Sequence, residues 1–99
     1  MDIRYEYVNI TRNNYFEYLI EEHLNPLSIK YPFITGADVF FKVENRSDEL
    51  ENICEIRISA PGPRLFAATN EASIEQAITK SANNIETQLE KRKAQMRTF

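Results

Sequence analysis

Ninety-nine residues are enough for one domain with one core, and too few for a multidomain assembly. A composition of 42% hydrophobic, 27% charged and 11% aromatic residues excludes a disordered chain. A net charge of −3, with a pI near 5.2, excludes a uniformly basic nucleic-acid binder, so any affinity for phosphate must come from a local cluster.

No apolar run approaches the ~20 residues that span a bilayer, so no membrane partner is expected. The start, Met1-Asp2-Ile3-Arg4, lacks a basic segment followed by an apolar one, so no secretion signal is expected. One cysteine cannot close an internal disulfide. These features point to the cytosol.

Along the chain, Ile3, Tyr5 and Tyr7 alternate with Arg4 and Glu6, the period of a half-buried strand. Thr11 to Asn14 offers a polar helix start. Phe16, Leu19, Ile20, His23, Leu24 and Leu27 then recur at helical spacing, with Glu17, Glu21 and Glu22 on the other face. Pro26 lacks an N–H and predicts a stop or kink, with Asn25 capping a fresh turn that reaches about Tyr31. After a connection over 32–36, residues 37–44 read as a second strand with Val39, Phe41 and Val43 on one face. The polar stretch 45–52 reads as a loop. Residues 53–59 form a third strand with Cys54, Ile56 and Ile58 inward. Pro61-Gly62-Pro63 forces a reversal, and 64–69 is a fourth strand.

Ser73-Ile74-Glu75-Gln76 fits a capping box. The helix it opens is expected over about 74–94, fraying toward Phe99. Ile74, Ala77, Ile78, Ala82, Ile85, Leu89 and Met96 mark its apolar stripe, roughly opposite Lys80, Asn84, Thr87 and Lys91. The predicted fold class is therefore α+β. A single β-α-β-β-β-α domain over 1–99 forms a four-stranded sheet with two helices packed on one face.

Catalytic chemistry is sparse. His23 is the sole histidine, so no paired-histidine metal site can form. Cys54 sits mid-strand on the apolar face, where cysteine behaves as a small hydrophobe. Two glycines, Gly36 and Gly62, cannot build a phosphate-cradling loop. Asp48, Glu49 and Glu51 lie in a solvated stretch. No enzyme activity, cofactor, metal or small-molecule substrate is expected.

The positive signal is the chain's tail. From Glu90 to Phe99, four bases (Lys91, Arg92, Lys93, Arg97) face one acid, Glu90. A few such residues give salt-dependent affinity for RNA phosphate. The competing reading is that cations in a last helical turn simply favour the helix dipole. Phe40, Phe66 and some of Tyr5, Tyr7 and Tyr15 are candidates for an uncovered surface. There they could stack on bases, with ordinary packing as the alternative.

Several segments resemble the short ribosome hibernation promoting factors, the family that includes ribosome-associated inhibitor A and the sigma-54 modulation proteins. The resemblance rests on Ala37-Asp38-Val39-Phe40-Phe41-Lys42-Val43-Glu44-Asn45, Glu55-Ile56-Arg57-Ile58 and Pro61-Gly62-Pro63-Arg64-Leu65-Phe66-Ala67. Ala77-Ile78 and Gln88-Leu89-Glu90-Lys91-Arg92-Lys93 extend it. It implies the same β-α-β-β-β-α fold. It implies binding to the small ribosomal subunit, between head and body, where messenger and transfer RNA would sit. It also implies silencing of translation by steric occlusion under stress or in stationary phase.

On this resemblance, RNA contacts are expected at Lys91, Arg92 and Lys93. Arg97, Lys80, Arg12 and Lys30 are additional candidates. The chain ends at Phe99, so the C-terminal domain that pairs ribosomes in longer relatives is expected to be absent, and a monomer is expected. The first helix departs from the family's pattern: Glu21, Glu22 and His23 stand where relatives carry lysines. That departure opens an alternative, a protein-interaction module of the same fold that has lost ribosomal RNA and whose acidic first helix and loop 45–52 would contact a basic protein, such as a ribosomal protein.

Overall fold

The computed structural model describes residues 1–96. Arg97, one of the candidate RNA contacts, lies outside the described residues. The elements are β1 (Asp2–Val8), α1 (Asn14–Lys30), β2 (Gly36–Arg46), β3 (Glu49–Ser59), β4 (Leu65–Glu71) and α2 (Ile74–Met96). The sheet order is β1-β2-β3-β4, with β1 parallel to β2 and the other pairs antiparallel. This is the predicted α+β order.

One parity of each strand faces the helices. Ala37, Val39, Phe41, Cys54, Ile56, Ile58, Leu65 and Ala67 join Phe16, Ile20, Leu24 and Leu27 of α1 and Ile74, Ala77, Ile78, Ala82, Ile85 and Leu89 of α2 in one core. Both helices thus cover the same face. Tyr5 and Tyr7 belong to that side too. Their rings lie 6.2 and 5.0 Å from the Phe41 ring, so neither is on the uncovered face. Met96, placed in the α2 stripe by periodicity, is exposed, because the helix outlasts the sheet beneath it.

Two expectations change. Pro26 does not stop α1, which runs unbroken to Lys30. Proline deletes one donor, on an exposed side of the helix where water can serve the freed carbonyl. Burial of Leu24, Leu27 and Tyr31 on the opposite side continues across it. Stretch 45–52 is not an open loop either. Both strands extend to a two-residue turn at Ser47 and Asp48, with Ser47 at φ 55°. Arg46 stitches this hairpin end to Glu51 at 3.2 Å. The hairpin projects past the helices, so neither face has an apolar parity to read.

The caps follow the sequence. Asn13 closes the start of α1 by accepting the Tyr15 N–H at 2.9 Å. The Ser73 hydroxyl accepts the Gln76 N–H at 3.2 Å, the first half of the capping box.

Topology sets where the helices end. β1, β2 and β4 all point one way, and each helix returns across the sheet from the strand before it. Both helices therefore finish at the same edge of the molecule, beside the connections 31–35 and 60–64.

Candidate nucleic-acid interface

Tyr31, immediately after α1, is 1% exposed and marks the place where the helix ends meet. Lys30 Nζ lies 5.5 Å from its ring centroid and Lys93 Nζ lies 5.7 Å away. Two ammonium groups from different helices thus share one aromatic ring, an arrangement that offsets part of their mutual repulsion. Arg92, one residue earlier on α2, turns to the β3–β4 connection. Its Nη1 donates to the Pro61 carbonyl at 2.7 Å and its Nη2 to the Pro63 carbonyl at 2.8 Å. The guanidinium keeps its charge while holding the helix to the turn. Lys91 is exposed beside a shallow groove of about 200 Å³, lined also by Leu65, Gln88 and Arg92.

The structure therefore gathers Lys30, Lys91, Arg92 and Lys93 at one pole. Among the described residues, none of the four is ion-paired with a carboxylate. Cations at helix C-termini also face the negative end of the dipole, which holds them there at a gain of about 0.3–1 kcal/mol each.

Two further guanidinium groups reach this edge that local sequence could not reveal. Arg4 and Arg64 converge on Asp38, with the Arg4 Nε donating at 2.9 Å. Arg64, followed by Arg4, holds the Asp38 carboxyl below its usual range despite some burial. Two cations on one anion leave a surplus of one positive charge. The three residues are distant in sequence and meet only through strand pairing, Arg4 opposite Asp38. No local pattern marks them.

Two candidates sit elsewhere. Arg12 precedes α1, and its Nε is paired with Glu17 at 3.2 Å. A 17-residue helix separates it from Lys30, about 25 Å at 1.5 Å per residue. Lys80 lies near the other end of α2, in an open groove of about 410 Å³ shared with Glu71 and Glu75. Neither belongs to the pole.

The opposite end of the molecule is acidic. Glu44, Asp48, Glu49 and Glu51 occupy the hairpin, and Glu71 and Glu75 flank the start of α2. The acidic residues are thus unevenly spread: these six lie at the end away from the pole, while Glu90 precedes Lys91 and Asp2 sits at the pole's own edge, opposite Gly36.

Other reactive side chains are sequestered. Cys54 is fully buried, and desolvation, reinforced by Glu55, pushes its thiol up to about 12. Tyr7 donates to Glu17 Oε2 at 2.8 Å. Burial and that bond raise its phenol to about 12. Tyr5 is raised further, by burial and by Glu21 and Glu17. Among the described residues no group of three or more His, Cys, Asp or Glu side chains could hold a metal ion. Among the same residues no helix is long and apolar enough to cross a membrane.

The uncovered sheet face carries Phe40 and Phe66, two of the aromatic candidates for an uncovered surface. The Arg57 guanidinium lies between them, 4.8 Å from the first ring centroid and 5.7 Å from the second. Arg57 also meets Glu55 at 3.5 Å, and Lys42 meets Glu55 at 3.0 Å. The rings on this face are already occupied by the protein's own cations.

One-sided packing of two helices, with cations gathered where they end, defines a small α+β domain whose positive charge is concentrated at one pole. The chain belongs to the sigma 54 modulation protein / S30EA ribosomal protein family, whose model matches residues 3–97. Among solved structures, a ribosomal subunit interface protein from Coxiella burnetii is similar at TM-score 0.83 and 20% identity, covering 95% of this chain and 99% of that one. The N-terminal domain of Protein Y from Thermus thermophilus is similar at TM-score 0.75 and 20% identity, covering 92% and 98%. At that identity the likeness is one of fold. No curated protein matches the sequence.

Proposed function

We propose that this protein is a ribosome-associated translation inhibitor. Its cationic pole attaches to RNA of the small subunit, and its body occupies the channel used by messenger and transfer RNA. Membership of the S30EA family supports the ribosome as partner. The similar Coxiella burnetii structure is that of a ribosomal subunit interface protein. The observation that carries the reading is the meeting of Lys30, Lys91, Arg92 and Lys93 at one pole without carboxylate partners among the described residues.

In this reading the residues have distinct tasks. Lys91 and Lys93 present point charges to phosphate. Lys30 adds a third from the other helix, so the contact spans both helix ends. Arg92 supplies charge but chiefly fixes the end of α2 against the turn 61–63. No bond is made or broken; inhibition is occupancy of a site that messenger and transfer RNA need. The assignment of RNA contacts to Lys91, Arg92, Lys93 and Lys30 is part of this proposal. Arg12 and Lys80 are left out of the contact on the ground of their positions.

A second reading is a protein-interaction module without RNA affinity. It is favoured by the absence of Lys and Arg between Arg12 and Lys30. Co-sedimentation with isolated small subunits separates the two. The protein is expected to pellet with vacant subunits and to be displaced from subunits loaded with messenger and transfer RNA. Pelleting that ignores channel occupancy, or that survives Lys91→Glu/Lys93→Glu, would defeat the first reading.

A further inference from the structure

The face of α1 turned away from the core has a composition unlike the pole. Phe16, Ile20, Leu24 and Leu27 point inward. Directly opposite, at spacings of three, four, three and four, lie Tyr15, Tyr18, Glu22, Asn25 and Ile29. Tyr15 is 57% exposed, Tyr18 50% and Ile29 82%. The two tyrosine rings are stacked, with centroids 6.4 Å apart and planes 15° apart. Glu21 and Glu22 are exposed beside and below them.

Stacked rings in water attract either nucleobases or guanidinium groups. Charge decides between them here. From Asn14 to Ile29 the helix carries three carboxylates (Glu17, Glu21, Glu22) and no Lys or Arg. A nucleic-acid strand would bring one phosphate per base toward these carboxylates. A cationic polypeptide would bring its charge toward both carboxylates and ring faces. Among the described residues no cation lies over these two rings, unlike Phe40 and Phe66, which Arg57 occupies.

We infer that the outer face of α1 is a docking surface for an arginine- and lysine-rich polypeptide segment. Tyr15 and Tyr18 accept guanidinium groups on their faces, Glu21 and Glu22 pair with flanking cations, and Ile29 contacts the apolar part of the segment. This goes beyond the RNA reading and does not depend on it, since the cationic pole and this face use different residues. It gives the protein two oppositely charged surfaces, one for phosphate and one for a basic protein.

The test is fluorescence anisotropy of a labelled twelve-residue peptide of alternating arginine and glycine, titrated with the intact protein at 150 mM salt. Saturable binding is expected. Tyr15→Ala/Tyr18→Ala should weaken it at least threefold, Tyr15→Phe/Tyr18→Phe should leave it within twofold, and Glu22→Lys should weaken it at least fivefold. A lysine–glycine peptide should bind more weakly, because guanidinium stacks on rings better than ammonium does. Lys91→Ala/Lys93→Ala should bind the peptide like the wild type, which keeps a failure here separate from a failure of the RNA reading. Circular dichroism of each variant identifies any that has unfolded; because the tyrosines are exposed, folded variants are expected. Peptide binding untouched by the alanine pair, a single-stranded RNA that binds through Tyr15 and Tyr18, or a dimer in sedimentation that the peptide fails to dissolve would each overturn the inference.

Discussion

Gly62 and Arg92 form a latch between the β3–β4 turn and the end of α2. Gly62 has φ +92°, a conformation that costs an L-residue about 1–2 kcal/mol. A Cβ placed there would lie 3.1 Å from Arg92 Nη1, so the guanidinium must give way. A shift of a few tenths of an ångström weakens its bonds to the Pro61 and Pro63 carbonyls and costs about 0.5–1.5 kcal/mol more at this half-exposed site. Gly62→Ala is therefore expected to destabilise the protein by about 1.5–3.5 kcal/mol in total. At about 2.1 cal/mol/K per residue, this chain loses about 5 °C per kcal/mol, which gives a fall in Tm of about 7–17 °C. Arg92→Ala removes both bonds, at about 1–3 kcal/mol, and should lower Tm by about 5–15 °C. Arg92→Lys keeps the charge but not the fork and should behave similarly. The two alanine changes should not add. Once Arg92 is truncated the new Cβ meets nothing, so the double variant should be less unstable than the sum by about 0.5–1 kcal/mol. Urea unfolding of the four proteins in the cycle measures this. Strict additivity, or a Gly62→Ala variant as stable as the wild type, would refute the latch.

Three further outcomes follow from buried polar groups. Ser81 is fully buried, donates to the Cys54 carbonyl at 2.7 Å and lies 2.8 Å from Thr69 Oγ1; Ser81→Ala should cost about 1–2 kcal/mol in urea unfolding, and a neutral result would show that the bond adds nothing. The Cys54 thiol should resist an aromatic disulfide reagent in the native state at pH 8 and react fully in urea; fast native labelling would contradict its burial. Tyr7 titrates near 10 when unfolded and about 12 when folded, so the stability it contributes is complete below pH 10 and lost as pH rises toward 12. Tyr7→Phe should flatten the fall in Tm measured between pH 10 and 11.5, and an unchanged slope would remove Tyr7 as its cause.

Much of the fold was legible because its strands and helices each bury one side only. Alternation at Val39, Phe41, Cys54, Ile56 and Ile58, and helical spacing from Ile74 to Leu89, need one partner layer each, and one sheet with two helices supplies it. Pro26 misled because a proline rule describes an isolated helix. Here the inward residues on both sides of it stay buried, and tertiary contact outweighs a local defect of about 3 kcal/mol. The hairpin at 45–52 misled for the opposite reason: with no core beneath it, its pairing leaves no periodic trace. Of the site, the α2 cations were legible as a cluster in the chain. That Lys30 joins Lys93 over Tyr31, while Arg12 and Lys80 stand apart, depends on both helices ending at one edge. That is a fact of topology, invisible to spacing. Arg92 as a latch was equally hidden, because its partners are backbone carbonyls of residues 61 and 63.

The most direct measurement is the salt dependence of binding to isolated small ribosomal subunits, for the wild type and for Lys91→Ala/Lys93→Ala. Four cations at the pole, without carboxylate partners among the described residues, should give a slope of log K against log[salt] of about −2.8 to −3.6, which is roughly a 50- to 150-fold loss of affinity from 50 to 200 mM. Removing two of them should bring the slope to about −1.4 to −1.8 and the loss to roughly 7- to 12-fold. A variant that binds with the wild-type slope would place the RNA contact somewhere other than the junction of the two helix ends.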